Sequence, residues 1–146
     1  MANSISVNNW SIVLSAWGFV QGKLDSLAAI ANFIARLYVA KIFFYSGLTK
    51  FQDWHCTLYL FREEYHVPFI SPDVAAVVGT AGELGLAVLL GVGLFMRFAA
   101  SGLFILNIVA VASYYESLKD SPAAMQDHLE WGILLALLLT TQVQKL

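Results

Sequence analysis

The sequence is poor in charge and nearly free of cysteine. Only 12% of its 146 residues are charged, whereas soluble domains carry about 25%. Apolar residues make up 59% of the chain, and the mean hydropathy is +0.70. A soluble domain of this length buries roughly 70% of its chain surface, which is too little to hide so many apolar side chains. The composition therefore excludes an ordinary soluble domain and indicates a protein that has lipid as its solvent.

Three further absences narrow the class of protein. The net charge of −2 supplies no basic field, so no nucleic-acid partner is expected. The single cysteine, Cys56, excludes an internal disulfide and a CxxC redox pair. Residues 1–22 contain no lysine or arginine, so this end lacks the basic region that is typical of a cleavable signal peptide.

Four long apolar stretches predict four membrane-spanning helices. They cover residues 27–50, 74–95, 98–118 and 123–141. A helical span needs about 20 apolar residues, and backbone groups in lipid must bond within their own segment, which favours helices. The predicted fold class is an all-α membrane protein, a bundle of four transmembrane helices.

Two other segments are predicted to be amphipathic helices at the membrane surface. In residues 1–26, apolar side chains recur at helical spacing and include tryptophans suited to the headgroup level; they are Trp10, Val13, Leu14, Trp17 and Val20. The alternative for this segment is an unstructured, partly apolar tail. The first loop carries a second set on one helical face, namely Trp54, Leu58, Phe61 and Tyr65. We therefore expect an interfacial segment over 1–26 and a transmembrane domain over 27–142.

Orientation is only weakly encoded. Three lysine or arginine residues fall on each side of the predicted bundle. The rule that cytoplasmic loops carry an excess of these residues therefore does not decide the orientation. Acidic residues gather on the side of the first loop, which is compatible with an outward face. We expect a multi-pass protein of the bacterial inner membrane with both termini in the cytoplasm.

Ionisable residues within the predicted spans point to a polar site in the bundle. Arg36, Lys41 and Lys50 lie in the first span, and Glu83 lies in the second. Such residues are costly in lipid and mark an ion pair or a functional site. If the first span ends at the level where the second begins, helical rise brings Glu83 within reach of Arg36 or Lys41. Arg36 is the expected partner, because its planar fork can bind a carboxylate twice. The pair is interpreted either as structural or as a proton or anion site. The third alternative is that these charges are unpaired and extend toward the membrane interface.

A second group of polar residues is expected near the outer rim. His55, Cys56 and His66 belong to the first loop, and His128 and Glu130 to the fourth span. These residue types could ligate a transition metal or haem, although their spacing fits no zinc signature. A quinone-headgroup or thiol-handling pocket is the second interpretation, and polar residues at the interface without a site are the third. A redox role for Cys56 would need a thiol from another chain.

Several segments of the sequence resemble the DoxX family. ARLYVAKIFFYSGLTKFQDW at 35–54 has an early arginine and an aromatic run ending in Ser-Gly-Leu-x-Lys, and VPFIS at 67–71 is similar to the loop before the family's second helix. GTAGELGLAVLLGVGLFMRFAA at 79–100 resembles the second signature, and DHLEWGILLALLL at 127–139 the fourth helix. The residues that match the motif are Arg36, Gly47, Lys50, Glu83 and Gly91, and His128 and Glu130 match less closely. The C-terminal TTQVQKL departs from the family pattern.

This resemblance implies a four-span protein linked to redox or stress systems. Some relatives are subunits of a thiosulfate:quinone oxidoreductase or partners of redox enzymes in thiol and oxidative-stress defence, and others accompany metal-stress operons. The predicted function is an accessory or membrane subunit that is embedded in lipid, that associates with a protein partner or its own copies, and that has little activity alone. The cofactor candidates are quinone, a transition metal and haem. The alternatives are a metal- or haem-binding membrane protein and a small solute carrier around Arg36 and Glu83.

Overall fold

The structure is a computed structural model that describes residues 3–141, with side chains from Trp10 onwards. All regular structure within this range is helical. The helices are α1 (Asn3–Gln52), α2 (Trp54–Glu63), α3 (Pro72–Val92), α4 (Met96–Ser113), α5 (Tyr115–Leu118) and α6 (Pro122–Thr141).

The first helix is longer than the sequence predicted. We expected a span to begin near residue 27 after a separate interfacial segment, but α1 runs without a break from Asn3 to Gln52. The chain nevertheless divides into two compact units, residues 1–34 and 35–146. In the first unit, the apolar side chains at the predicted spacing, from Trp10 to Val20, are exposed.

The core of the second unit joins four helices. Its largest fully buried side chains are Val39 of α1, Leu90 of α3, Leu103 of α4 and Leu135 of α6. Small residues at the crossings let the helix backbones approach closely, which is how helices pack in lipid. A Cβ on Gly102 would lie 2.5 Å from Leu86 Cδ1.

The connection between α3 and α4 is a tight turn. Gly93 has φ +87° and donates its N–H to the carbonyls of Leu89 and Leu90, which closes α3 with a left-handed residue. Phe95 also has a positive φ, of 48°, just before α4 begins. The short link makes α3 and α4 antiparallel neighbours, as the sequence predicted.

The first loop contains a helix, as the sequence predicted. α2 packs along the first half of α3, where Phe61 forms a small core with Ala75 and Ala76. Arg62 also binds Asp73 through two bonds of 2.8 and 3.0 Å. The apolar face of α2 is thus covered by protein. The position of α2 at the membrane surface stays a prediction.

Three of the helices are long and apolar enough to cross a membrane, judged by length and composition. They are α1 from Trp10 onwards, α3 and α4. The fourth predicted span corresponds to α6, which is helical but apolar only in its second half. Its first half carries Gln126, Asp127, His128 and Glu130.

Candidate functional site

A cavity of about 620 Å³ lies within the second unit. Its walls come from all six of the helices given above and from the loop after α2, and they are mostly apolar. A few polar side chains interrupt these walls, among them Ser46, Lys50, Glu83, Ser113 and His128. A concave, mainly apolar site with a small number of polar groups is the usual form of a small-molecule site.

An ion pair forms one polar region of the cavity wall. Lys50 Nζ donates to both carboxylate oxygens of Glu83, at 3.0 and 2.8 Å, and to Ser46 Oγ at 2.8 Å. The two charged side chains are only 21% and 13% exposed, respectively. These three contacts hold the ammonium group between Ser46 and Glu83.

The predicted pairing of Arg36 with Glu83 is wrong. A Cβ on Gly47 would lie 3.1 Å from Glu83 Cβ, and one on Gly93 would lie 2.8 Å from Arg36 Nη1. Arg36 is therefore level with Gly93, ten residues beyond Glu83 and about 15 Å away along the helix. Its Nη1 lies 3.3 Å from Met96 Sδ.

The physical reason for this error is the register of α1 against α3. The sequence predicts that α1 ends level with the start of α3, but α2 occupies that level. Lys50, two residues before α1 ends, consequently lies beside the middle of α3. Lys41 does not line the cavity either; it is exposed, with Nζ 6.0 Å from the centre of the Tyr45 ring.

His128 forms the second polar region together with a buried asparagine. Asn107 Nδ2 donates to the carbonyl of His128 at 2.8 Å, and Asn107 Oδ1 lies 2.7 Å from His128 Nδ1. The imidazole also packs edge-on against Trp131, with ring centres 4.9 Å apart. Trp131 in turn contacts Phe43 at 6.1 Å between ring centres. The histidine therefore has a defined orientation.

Aromatic residues and an unbonded hydroxyl line another part of the cavity. Phe61, Tyr65 and Tyr114 make two edge-on ring contacts, each with centres 4.8 Å apart. Burial raises the pKa of Tyr65 above its usual value, so its hydroxyl stays protonated. Ser113 Oγ is buried and has no hydrogen-bond partner among the described residues. A buried polar group without a partner is costly, and here the cavity is where a ligand could satisfy it.

The polar residues predicted at the rim do not gather into one site. His55, Cys56, His66 and Glu130 are exposed and do not line the cavity, and Glu130 accepts a bond from Gln126 at 2.9 Å. Across residues 3–141, no three His, Cys, Asp or Glu side chains are close enough together to hold a metal ion. Of the rim set, only His128 reaches the cavity.

Sequence reasoning missed three polar residues of this region. Asn107 positions His128, while Ser46 and Ser113 line the cavity. Ionisable groups stand out within the apolar stretches, whereas these three side chains are uncharged. Asn107 is a lone amide in the middle of the third stretch, and a polar side chain within a span is itself a signal of helix contact.

Comparison with known proteins gives one match. The sequence model of the DoxX family matches residues 31–116, which is more than half of the chain and includes Lys50, Glu83 and Asn107. α6, with His128 and Trp131, lies beyond the matched residues. No curated protein and no solved structure matched the chain. The resemblance seen in the sequence is thus confirmed, and the chain belongs to the DoxX family.

Proposed function

We propose that this chain is a membrane subunit that binds a quinone-type molecule in the cavity and serves a redox or stress-response system. The observation that carries the proposal is the cavity itself, because it combines apolar walls with a buried ion pair and an oriented histidine. Its volume of about 620 Å³ falls within the usual range of small-molecule sites, roughly 300–1,000 Å³.

The lining favours an amphipathic ligand with a flat headgroup. Phe43 and Trp131 offer aromatic surfaces next to His128, and aromatic rings prefer edge-on or offset contact with one another. Apolar side chains of α3 and α4, such as Val78 and Val109, suit the hydrocarbon part of such a molecule. Quinones of the bilayer have this division into a polar ring and an apolar tail.

The accessory role follows from the chemistry that the chain lacks. Cys56 is exposed and is the only cysteine of the sequence, so exchange between thiols requires a cysteine from a partner. The family resemblance supports a thiol or thiosulfate system as the source of electrons. The chain would then supply the quinone site, and a protein partner would supply the remaining chemistry.

We further propose that α6 is a fourth span and that both termini face the cytoplasm of a bacterial inner membrane. The second half of α6 is apolar and contributes Leu135 and Leu138 to the shared core. Its polar first half contains the histidine that lines the cavity. An even number of spans returns the chain to the side on which it began.

Ligand binding can be tested with a pair of matched variants. Ala110 lines the cavity, whereas Ala112 is exposed on the same helix and does not. We expect a decyl-substituted benzoquinone to bind the purified protein and the Ala112→Phe variant, but to bind Ala110→Phe at least tenfold more weakly. Absence of binding to the unmodified protein by both this quinone and its reduced form would contradict the quinone site. Turnover of thiosulfate with a quinone by the isolated chain would contradict the accessory role.

A further inference from the structure

The hydrogen bonds around Asn107 determine which nitrogen of His128 carries a proton. The carbonyl of His128 can only accept, so the Asn107 atom that bonds to it at 2.8 Å must be the amide nitrogen. The amide oxygen is then the atom 2.7 Å from His128 Nδ1. Because that oxygen can only accept, Nδ1 must carry the hydrogen.

This assignment leaves Nε2 of the neutral imidazole as a hydrogen-bond acceptor. Asn107 holds the Nδ1 edge and does not line the cavity, whereas His128 does. The apolar walls favour the neutral ring, since an added charge would be poorly solvated there. Within the described part of the chain no hydrogen bond engages Nε2, so this nitrogen of a cavity-lining ring has a lone pair to offer.

The two charged residues of the cavity also favour a ligand that donates hydrogen bonds. Lys50 Nζ donates to Ser46 Oγ and to both oxygens of Glu83, so its N–H groups are directed toward these partners. The Glu83 carboxylate has about four acceptor positions and receives two bonds from Lys50. The remaining polar groups of the wall are hydroxyls, which can donate or accept and so favour neither kind of ligand; they belong to Ser46, Tyr65, Ser113 and Tyr114.

We infer that the cavity selects the reduced, hydroxyl-bearing form of its ligand, a hydroquinone, over the oxidised quinone. A hydroquinone donates O–H groups to acceptors such as His128 Nε2, whereas a quinone carbonyl finds no donor at Nε2 and competes with Ser46 and Glu83 for the N–H groups of Lys50. The inference rests on the proposed function and adds which redox form is bound. Asn107 acts as a positioning residue, since it sets the histidine tautomer without touching the ligand.

Binding of three ligands to the purified protein tests the preference directly. They are a decyl hydroquinone kept under anaerobic conditions, the corresponding quinone, and the hydroquinone dimethyl ether, which has the same shape but no O–H. One buried hydrogen bond corresponds to about tenfold in affinity. We expect the hydroquinone to bind about tenfold or more tightly than the other two. Equal affinities, or tighter binding of the quinone, would overturn the inference and leave the proposed function intact. No binding of any of the three would overturn both.

Two variants identify the residues responsible. His128→Phe keeps an aromatic ring but removes the acceptor, so the affinity ratio between hydroquinone and quinone should fall towards one while the quinone still binds. Asn107→Leu should reduce the same ratio, because it removes the acceptor that keeps the hydrogen on His128 Nδ1. A purely structural role for Asn107 would weaken both ligands equally. Retention of the full ratio by His128→Phe would contradict the assignment.

The tautomer can also be read in the unmodified site, which keeps the test independent of how the variants fold. Replacing the exposed His55 and His66 with glutamine leaves His128 as the only histidine. Its ¹⁵N chemical shifts should show a protonated Nδ1 and an unprotonated Nε2. A protonated Nε2, or a doubly protonated ring at neutral pH, would overturn the inference.

Discussion

Removal of the Glu83 carboxylate alone should destabilise the protein more than removal of both members of its ion pair. In Glu83→Leu the Lys50 ammonium loses its bonds of 2.8 and 3.0 Å but stays in a site where it is only 21% exposed. Breaking a buried pair from one side costs about 3–5 kcal/mol, whereas replacing both partners with apolar residues is often nearly neutral. We therefore expect a coupling free energy of about 2–3 kcal/mol between the two positions, within the range measured for directly interacting residues.

A double-mutant cycle with a second pair as control measures this coupling. The four proteins are the unmodified chain, Glu83→Leu, Lys50→Met and the double variant, each unfolded reversibly by SDS in mixed micelles and followed by circular dichroism. The control cycle replaces Lys50→Met with Arg36→Met. Arg36 is about 15 Å from Glu83 along the helix, so those two changes should add to within about 0.5 kcal/mol. Additivity in the Lys50 cycle, or strong coupling in the Arg36 cycle, would refute the register described above.

Three further predictions concern packing, a surface ion pair and orientation. Gly47→Ala should lower the free energy of unfolding by about 1–3 kcal/mol because its Cβ would lie 2.8 Å from a leucine Cγ. Gly85→Ala, which meets nothing within 4 Å, should be neutral or stabilising by up to about 1 kcal/mol; equal losses from both would contradict the close contact. Arg62→Ala should lower the free energy of unfolding by no more than about 1 kcal/mol, since the side chains of Arg62 and Asp73 are 52% and 58% exposed. A loss of several kcal/mol would show that this ion pair is shielded from water. A membrane-impermeant maleimide should label the exposed Cys56 on intact spheroplasts, whereas labelling only after permeabilisation would reverse the proposed orientation.

The sequence predicted the helical class well because the signal is carried by long apolar stretches. The starts of α3 and α6, at Pro72 and Pro122, fall within two residues of their predicted positions, since proline and the preceding serine interrupt the apolar pattern there. The register between α1 and α3 could not be predicted in the same way. It depends on where α2 lies, and the apolar face of α2 fits a protein neighbour as well as it fits a membrane surface.

The candidate site could be predicted only in part, because it too depends on how the helices pack against one another. Glu83, Lys50 and His128 were identified because ionisable groups stand out in an apolar sequence. Which cation meets Glu83 depends on helix register, and which residue orients His128 depends on the contact between α4 and α6. Ser46 and Ser113 gave no signal, since serine is common in membrane helices and gains a role here only through the cavity beside it.

The bond between Lys50 and Glu83 also bears on how the chain enters the bilayer during synthesis. An ionisable residue near the centre of a span adds about 2.5–3.5 kcal/mol to its insertion free energy, and Glu83 lies near the middle of α3. Because α1 is made first, its lysine is already present when α3 emerges from the translocation machinery. We expect α1 to α3 to insert as one unit, so that Lys50→Met impairs the insertion of α3 rather than that of the helix it belongs to. A glycosylation-based insertion assay in which α3 inserts equally well with either residue at position 50 would contradict this coupling.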